Sequence, residues 1–216
     1  MKKARASPIG HAVSLIKAGR YEEAVETLQA FVKADPHSIE GWYNLGVALT
    51  ECNREDEAVK AYDEALAIDN MIFEIWFNKA NALYQLKDFK GSKECYEKAL
   101  EINADDAEAW NNLGNCLSRL GEGKKAIDAY TRAVALKPDY AEAFYNKANA
   151  HFIEEDDERA IAYGELAVKL DPKLEPMVAQ WIDVSRARLE AAKVQDEYER
   201  KTDPSKRLDK DVQETG

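Results

Sequence analysis

Cysteine is scarce in this chain and does not pair by count. Cys52, Cys95 and Cys116 are an odd number, and no two stand at a C-x-x-C spacing. A disulfide framework and a structural zinc site are therefore not expected, and the thiols read as reduced groups in a reducing, cytoplasmic setting. Glycine and proline are few, ten and six in 216 residues, which argues against a collagenous or linker-dominated chain. No stretch approaches the roughly 20 apolar residues of a membrane span. The basic opening, Met1 to Gly10, leads into no apolar segment of a secretory signal. Basic charge is in deficit, with 30 Lys and Arg against 41 Asp and Glu and a net charge of -11. Such a chain lacks the cationic stripes that displace counterions from nucleic acid, and it gains nothing from an anionic lipid surface. The charge leaves a neutral to basic protein or peptide as the expected partner.

Catalytic signatures are missing as well. There is no G-x-x-x-x-G-K-[ST] loop, no G-x-G-x-x-G after a strand and no G-x-S-x-G elbow. His11, His37 and His151 are scattered without metal-ligand spacing, and no carboxylate pair stands out from the many on polar faces. No enzymatic activity, cofactor or metal is expected.

What is present is a period. Trp42, Trp76 and Trp110 are each 34 residues apart, and the next step lands on Phe144. The same step divides the chain into segments 5–38, 39–72, 73–106, 107–140 and 141–174. Position 8 of each segment is small (Ala12, Gly46, Ala80, Gly114, Ala148), and so is position 20 (Ala24, Ala58, Ser92, Ala126, Ala160). Position 24 is a large knob in four segments, Leu28, Tyr62, Tyr96 and Tyr130, but Gly164 in the fifth. Small faces let antiparallel helices approach closely while the knobs fill the groove beside them. Gly19, Asn53 and Gly121 at position 15 suit a turn with positive φ. Pro36, Pro138 and Pro172 at position 32 stop the second helix. Asn70 and Ala104 replace that proline, so less sharply broken junctions are expected there.

This period, with W-x2-L-G at 42–46 and 110–114 and a small-residue second half, resembles the tetratricopeptide repeat family over segments 5–174. The resemblance implies an all-α fold, a right-handed α-solenoid of helical hairpins. Residues 175–201 read as an amphipathic capping helix, and 202–216 are too polar to expect order. Trp181 is expected to cover the space that Gly164 leaves. His11 and His151 fall on packing positions of first helices, where half-buried imidazoles are expected. Lys79 and Lys147 stand where leucine is usual, and their stems are expected to pack while the amines reach solvent.

In the family, first helices line a concave groove that takes a partner, and positions 2, 5, 6, 9, 12 and 13 face it. In this chain position 5 holds Tyr43, Phe77, Asn111 and Tyr145. Position 6 holds Asn44, Asn78, Asn112 and Asn146, and position 9 adds Asn81, Asn115 and Asn149. A carboxamide donates and accepts at once, so two such columns match the N–H and C=O of an extended peptide regardless of its side chains. The pattern is similar to the asparagine ladder of the O-GlcNAc transferase repeats, a binding mode and not a reaction. The same asparagines could instead bond neighbouring repeats and fix the solenoid.

Position 2 carries Glu40, Glu74, Glu108 and Glu142, which either steer basic peptides or complement the helix dipoles. They stand where a clamp for carboxylate chaperone tails needs lysine, so capture of such tails is not expected. Met71, Ile72 and Phe73 form an apolar run at a junction, either a contact patch or a tucked segment. The expected function is a scaffold or adaptor, monomeric or weakly self-associating, that holds an extended peptide in the groove. The alternative is an assembly protein associating through its ends or convex face.

Overall fold

The computed structural model describes residues 7–202, and helices succeed one another with the period of the tryptophans. They are α1 (Pro8–Lys17), α2 (Tyr21–Ala34), α3 (Ile39–Glu51), α4 (Glu55–Ile68), α5 (Phe73–Gln85) and α6 (Phe89–Ile102). There follow α7 (Ala107–Arg119), α8 (Gly123–Leu136), α9 (Ala141–Ile153) and α10 (Asp157–Leu170). A 3-10 turn, Pro172–Leu174, leads into α11 (Glu175–Thr202). The fold is an all-α solenoid of helical hairpins. Apart from Thr202, which ends α11, the polar segment 202–216 lies outside the described residues. The helices fall into two compact units, one through Leu136 and one from Lys137 onward.

Local chemistry sets the helix ends. Ser7, Ser38, Asp88, Asp106 and Asp156 each accept a backbone N–H in the first turn of the helix that follows, which satisfies one of its orphan donors. Arg20 and Arg54 precede α2 and α4 without capping, and each instead pairs through two nitrogens with a glutamate three residues on, Glu23 and Glu57. All five hairpin turns use positive φ at position 15: Gly19 (72°), Asn53 (55°), Lys87 (63°), Gly121 (76°) and Glu155 (59°). Glycine takes that conformation freely, whereas Lys87 and Glu155 adopt it because the packed helices on both sides impose it.

The junctions without proline break as sharply as the others, contrary to the sequence expectation. Helices stop at Ile68 and Ile102, and the next begin at Phe73 and Ala107, the same gap as that between Ala34 and Ile39. The reason is a backbone acceptor that any residue provides. The indole Nε1 of Trp42 donates to the carbonyl of Pro36 (2.9 Å), that of Trp76 to Asn70 (2.8 Å) and that of Trp110 to Ala104 (2.8 Å). Each tryptophan thus closes the connection it follows. Asp69 Oδ1 and Asn103 Oδ1 accept the backbone N–H two residues on, which turns the chain locally.

In the first unit, the knobs Tyr62 and Tyr96 are almost wholly buried, as are the small residues at positions 8 and 20. A Cβ on Gly114 would stand 2.5 Å from Tyr130 Cε1, so the glycine is what lets that ring lie flat against α7. Phe31, unusual at its position, is accommodated by Gly41, where a Cβ would come within 2.9 Å of the ring. Cys95 and Cys116 are core residues, Cys116 lying 3.2 Å from Ser92 Oγ, and burial pushes both thiols up to about 11. Cys52 is only half-buried. Ellman's reagent at pH 8 is therefore expected to titrate one thiol quickly in the native protein and three after denaturation. Rapid reaction of all three without denaturant would contradict this packing.

In the second unit, Gly164 lies under Trp181, and a Cβ there would meet Cη2 at 2.6 Å and Val178 at 3.0 Å. Trp181, Val178 and Ile182 of α11 thereby complete the core that α9 and α10 leave open. Two sequence expectations are corrected. His11, in the first unit, is exposed because no described residue covers it, whereas His151 is buried and bonded through Nδ1 to Asp156 (3.2 Å). Lys147 does not send its amine to solvent. It is buried, with Nζ 4.0 Å from the centroid of Tyr163, where the ring face substitutes for water. Lys79, in the first unit, fits the expectation better, its amine reaching the exposed Asp63 at 2.5 Å.

Candidate functional site

Within the first unit α1 touches α3 and α3 touches α5, so the first helices line one side together. On that side the structure brings Tyr43, Asn44, Phe77, Asn78, Asn81, Asn112 and Asn115 into half-buried positions, open enough to meet a ligand and packed enough to be held. Asn81, Tyr84, Gln85, Tyr96, Asn112 and Asn115 line a recess of about 200 Å³ between α5, α6 and α7. No side chain of the recess carries a formal charge. Its walls are carboxamides and phenols.

The carboxamides are oriented by the core. Burial raises the pKa of Tyr96 far above the usual phenol range, so Tyr96 remains a neutral donor, and its O–H donates to Asn81 Oδ1. Tyr130 O–H donates to Asn115 Oδ1 at 2.8 Å one repeat later. The same knob that fills the hairpin groove therefore fixes which end of the asparagine points outward. Asn112 lies within bonding reach of the Tyr96 hydroxyl, and its Oδ1 faces Asn111 Nδ2 at 3.4 Å.

The position-6 column is less uniform. Asn78 Nδ2 donates to Tyr43 Oη at 3.2 Å, a bond between successive repeats, while Asn44 Nδ2 turns back to the carbonyl of Glu40 at 2.7 Å. Tyr43 has its pKa raised by burial first and by the charge of Glu74 second, which places that carboxylate's field on the same side. Phe77 stacks on Phe73 (5.6 Å between centroids) and meets Tyr96 edge-on (5.8 Å).

Asn111 departs from the expectation for its column. It is wholly buried, so it supports Asn112 and offers nothing to a ligand. Sequence reasoning did not single out Tyr84 and Gln85, although positions 12 and 13 were among those expected to face the groove. In the apolar run at the junction only Met71 is open, 69% exposed, while Ile72 packs on the core and Phe73 is half-buried against Phe77. In the second unit Tyr145, Asn146 and Asn149 are half-buried on α9, with Tyr145 against the local core. A larger recess, about 670 Å³, lies between α2, α3 and α4, with an apolar floor that includes Val32, Trp42 and Leu49 and a rim of lysines and glutamates. It has no comparable set of oriented carboxamides. Among the described residues no helix is long and apolar enough to cross a membrane.

Comparison with known proteins follows the same period. Tetratricopeptide repeat models match residues 9–70, 107–140 and 141–174, and a TPR repeat model matches 80–121. No curated protein sequence matches the chain. Among solved structures, MamA is similar at 21% identity over 75% of this chain and 95% of that one, with a TM-score of 0.72. MamA from Desulfovibrio magneticus RS-1 is 21% identical over 77% and 94%, with a TM-score of 0.73. YrrB, described as a TPR protein with an unusual peptide-binding site, is 23% identical over 83% and 92%, with a TM-score of 0.72. At these identities the likeness is one of fold.

Proposed function

The chain belongs to the tetratricopeptide repeat family, and from that premise we propose that it is a non-catalytic scaffold or adaptor that binds an extended peptide segment of a partner protein along its first helices. The observation that carries this reading is the fixed orientation of Asn81 and Asn115, whose Oδ1 atoms are taken by Tyr96 and Tyr130. The Nδ2 amine of each is then the group offered to the recess. An extended backbone presents a carbonyl with every residue, roughly each 3.3 Å, and a pre-oriented amide donor meets it without the entropy cost of a free side chain. Asn112 and Asn78 extend the series, with Tyr43 and Phe77 supplying apolar contact. Tyr145, Asn146 and Asn149 are the corresponding groups of the second unit.

Exposed Glu40, Glu74 and Glu108 favour a neutral to basic segment and disfavour an acidic tail. The setting is the cytoplasm, with Cys52, Cys95 and Cys116 as free thiols. Peptides selected from a random extended library are expected to bind the wild type at least about tenfold more tightly than an Asn78→Ala/Asn112→Ala chain, since two directed hydrogen bonds are lost. Fluorescence anisotropy reads this once circular dichroism has established that the variant is folded. Equal affinity for both chains would contradict the reading.

A further inference from the structure

α11 has two faces, and the fold uses one. Val178, Trp181, Ile182 and Ser185 are buried against the second unit's core, but the opposite side carries Met177, Val184 and Tyr198, 49%, 43% and 63% exposed. These residues, with Ala191, recur every seven residues, and Ala187 and Val194 (60% exposed) fall three places after Val184 and Ala191. The result is an a/d seam over three heptads on a helix of 28 residues, about 42 Å long. Gln180 and Lys201 stand at the two ends of the d row. A strict seven-residue step is the period of a left-handed supercoil and not of a flat docking face, which would follow 3.6 residues per turn. From Glu190 to Tyr198 every residue is exposed, so this part of α11 buries no apolar side chain against the described residues. A helical stretch that short is marginal in water without packing against a neighbour.

We propose that a second copy of this chain covers the seam, forming a parallel two-stranded coiled coil through α11. The charges beside the seam select that occupant and its direction. The g positions are Asp183, Glu190 and Glu197, and the e positions that follow are Arg188, Gln195 and Thr202. An antiparallel pair sets g against g and opposes acidic rows. A parallel pair sets each g against the partner's e five residues on, so that Asp183 meets Arg188 and the other two meet neutral hydrogen-bonding groups. Arg188 rests over Phe152 and near Asp157, yet its side chain is 39% exposed and can serve both contacts. Ala187 and Ala191 at the middle of the seam let the two backbones approach closely.

Sedimentation velocity over a concentration series tests this on the full chain, whose monomer mass is 24.3 kDa. The wild type shifts towards twice that mass, and Val184→Glu/Val194→Glu, which sets four like charges in the seam, weakens the dimer at least about tenfold. Both positions are exposed in the single chain, so the glutamates remove no packing from the repeats. Ala191→Cys gives a disulfide-linked dimer under mild oxidation, because an a residue faces its own copy in a parallel pair. The Asn78→Ala/Asn112→Ala chain dimerises like wild type, which separates this inference from the groove reading. A wild type that stays at 24.3 kDa throughout, or a dimer unaffected by the two glutamates, overturns the proposal. If the glutamate variant loses helix content, the Ala191→Cys chain decides: absence of the cross-link overturns it.

Discussion

Replacing Trp181 with alanine is expected to lower the stability of the second unit by about 3–5 kcal/mol, the range of large aromatic truncations in packed cores. The indole is 8% exposed, lies over Gly164 and stands 5.7 Å from the ring of Phe152. Its Nε1 has no acceptor among the described residues, so its contribution is packing and not hydrogen bonding. The other hairpins fill this space with their own knob at position 24, Leu28, Tyr62, Tyr96 or Tyr130, but the fifth has Gly164 and takes its ring from α11 instead. The two residues are consequently coupled. Gly164→Ala alone forces a Cβ to within 2.6 Å of the indole and costs about 1–3 kcal/mol. In the Trp181→Ala background the same change meets only Val178 Cγ1, at 3.0 Å, and costs less. Urea unfolding of the four chains measures the cycle. Near-wild-type stability of Trp181→Ala, or simple additivity of the two changes, would mean that the ring does not fill the space above Gly164.

Tyr96→Ala is expected to cost a similar amount, about 3–5 kcal/mol, in the first unit. The ring is 1% exposed, packs on Phe77 and fills the groove between α5 and α6. The comparison with Tyr96→Phe is the informative part. Phenylalanine keeps the packing and removes only the hydroxyl that holds Asn81 Oδ1, so stability falls by about 1 kcal/mol. Asn81 is then free to turn over, and peptide affinity falls although the fold is retained. Thermal unfolding and anisotropy titration together separate the two roles. A phenylalanine variant that binds as wild type does would show that the orientation of Asn81 is irrelevant to recognition.

The 34-residue step was legible because its physical causes are side chains: an indole that closes three of the four junctions between repeats, small residues where helices cross, and a large knob that fills the gap between them. Even the missing knob at Gly164 pointed to its replacement, since a hole in a packed repeat needs a neighbour to fill it. Backbone effects were not legible. Asn70 and Ala104 looked like weakened stops because proline was missing, yet the acceptor that matters is a carbonyl. Lys87 and Glu155 gave no sign of positive φ, which surrounding helices impose.

Column membership also failed to give depth. Asn111 belongs by position with Tyr43 and Phe77 but is buried, because it turns towards Asn112. His11 and His151 both fall on first-helix packing positions, 7 and 11 of their repeats, yet among the described residues only the second is packed over. The carboxamide orientation required coordinates, since a sequence shows that Asn81 and Tyr96 are 15 residues apart but not that one caps the other.

The most direct measurement is a nitrogen-15 spectrum of the side-chain amides of an asparagine-labelled chain, titrated with a peptide chosen for tight binding. The Nδ2 resonances of Asn81, Asn112 and Asn115 are expected to shift together and saturate with one dissociation constant. Saturation of the chain with peptide while those three resonances stay unmoved would contradict recognition along the first helices.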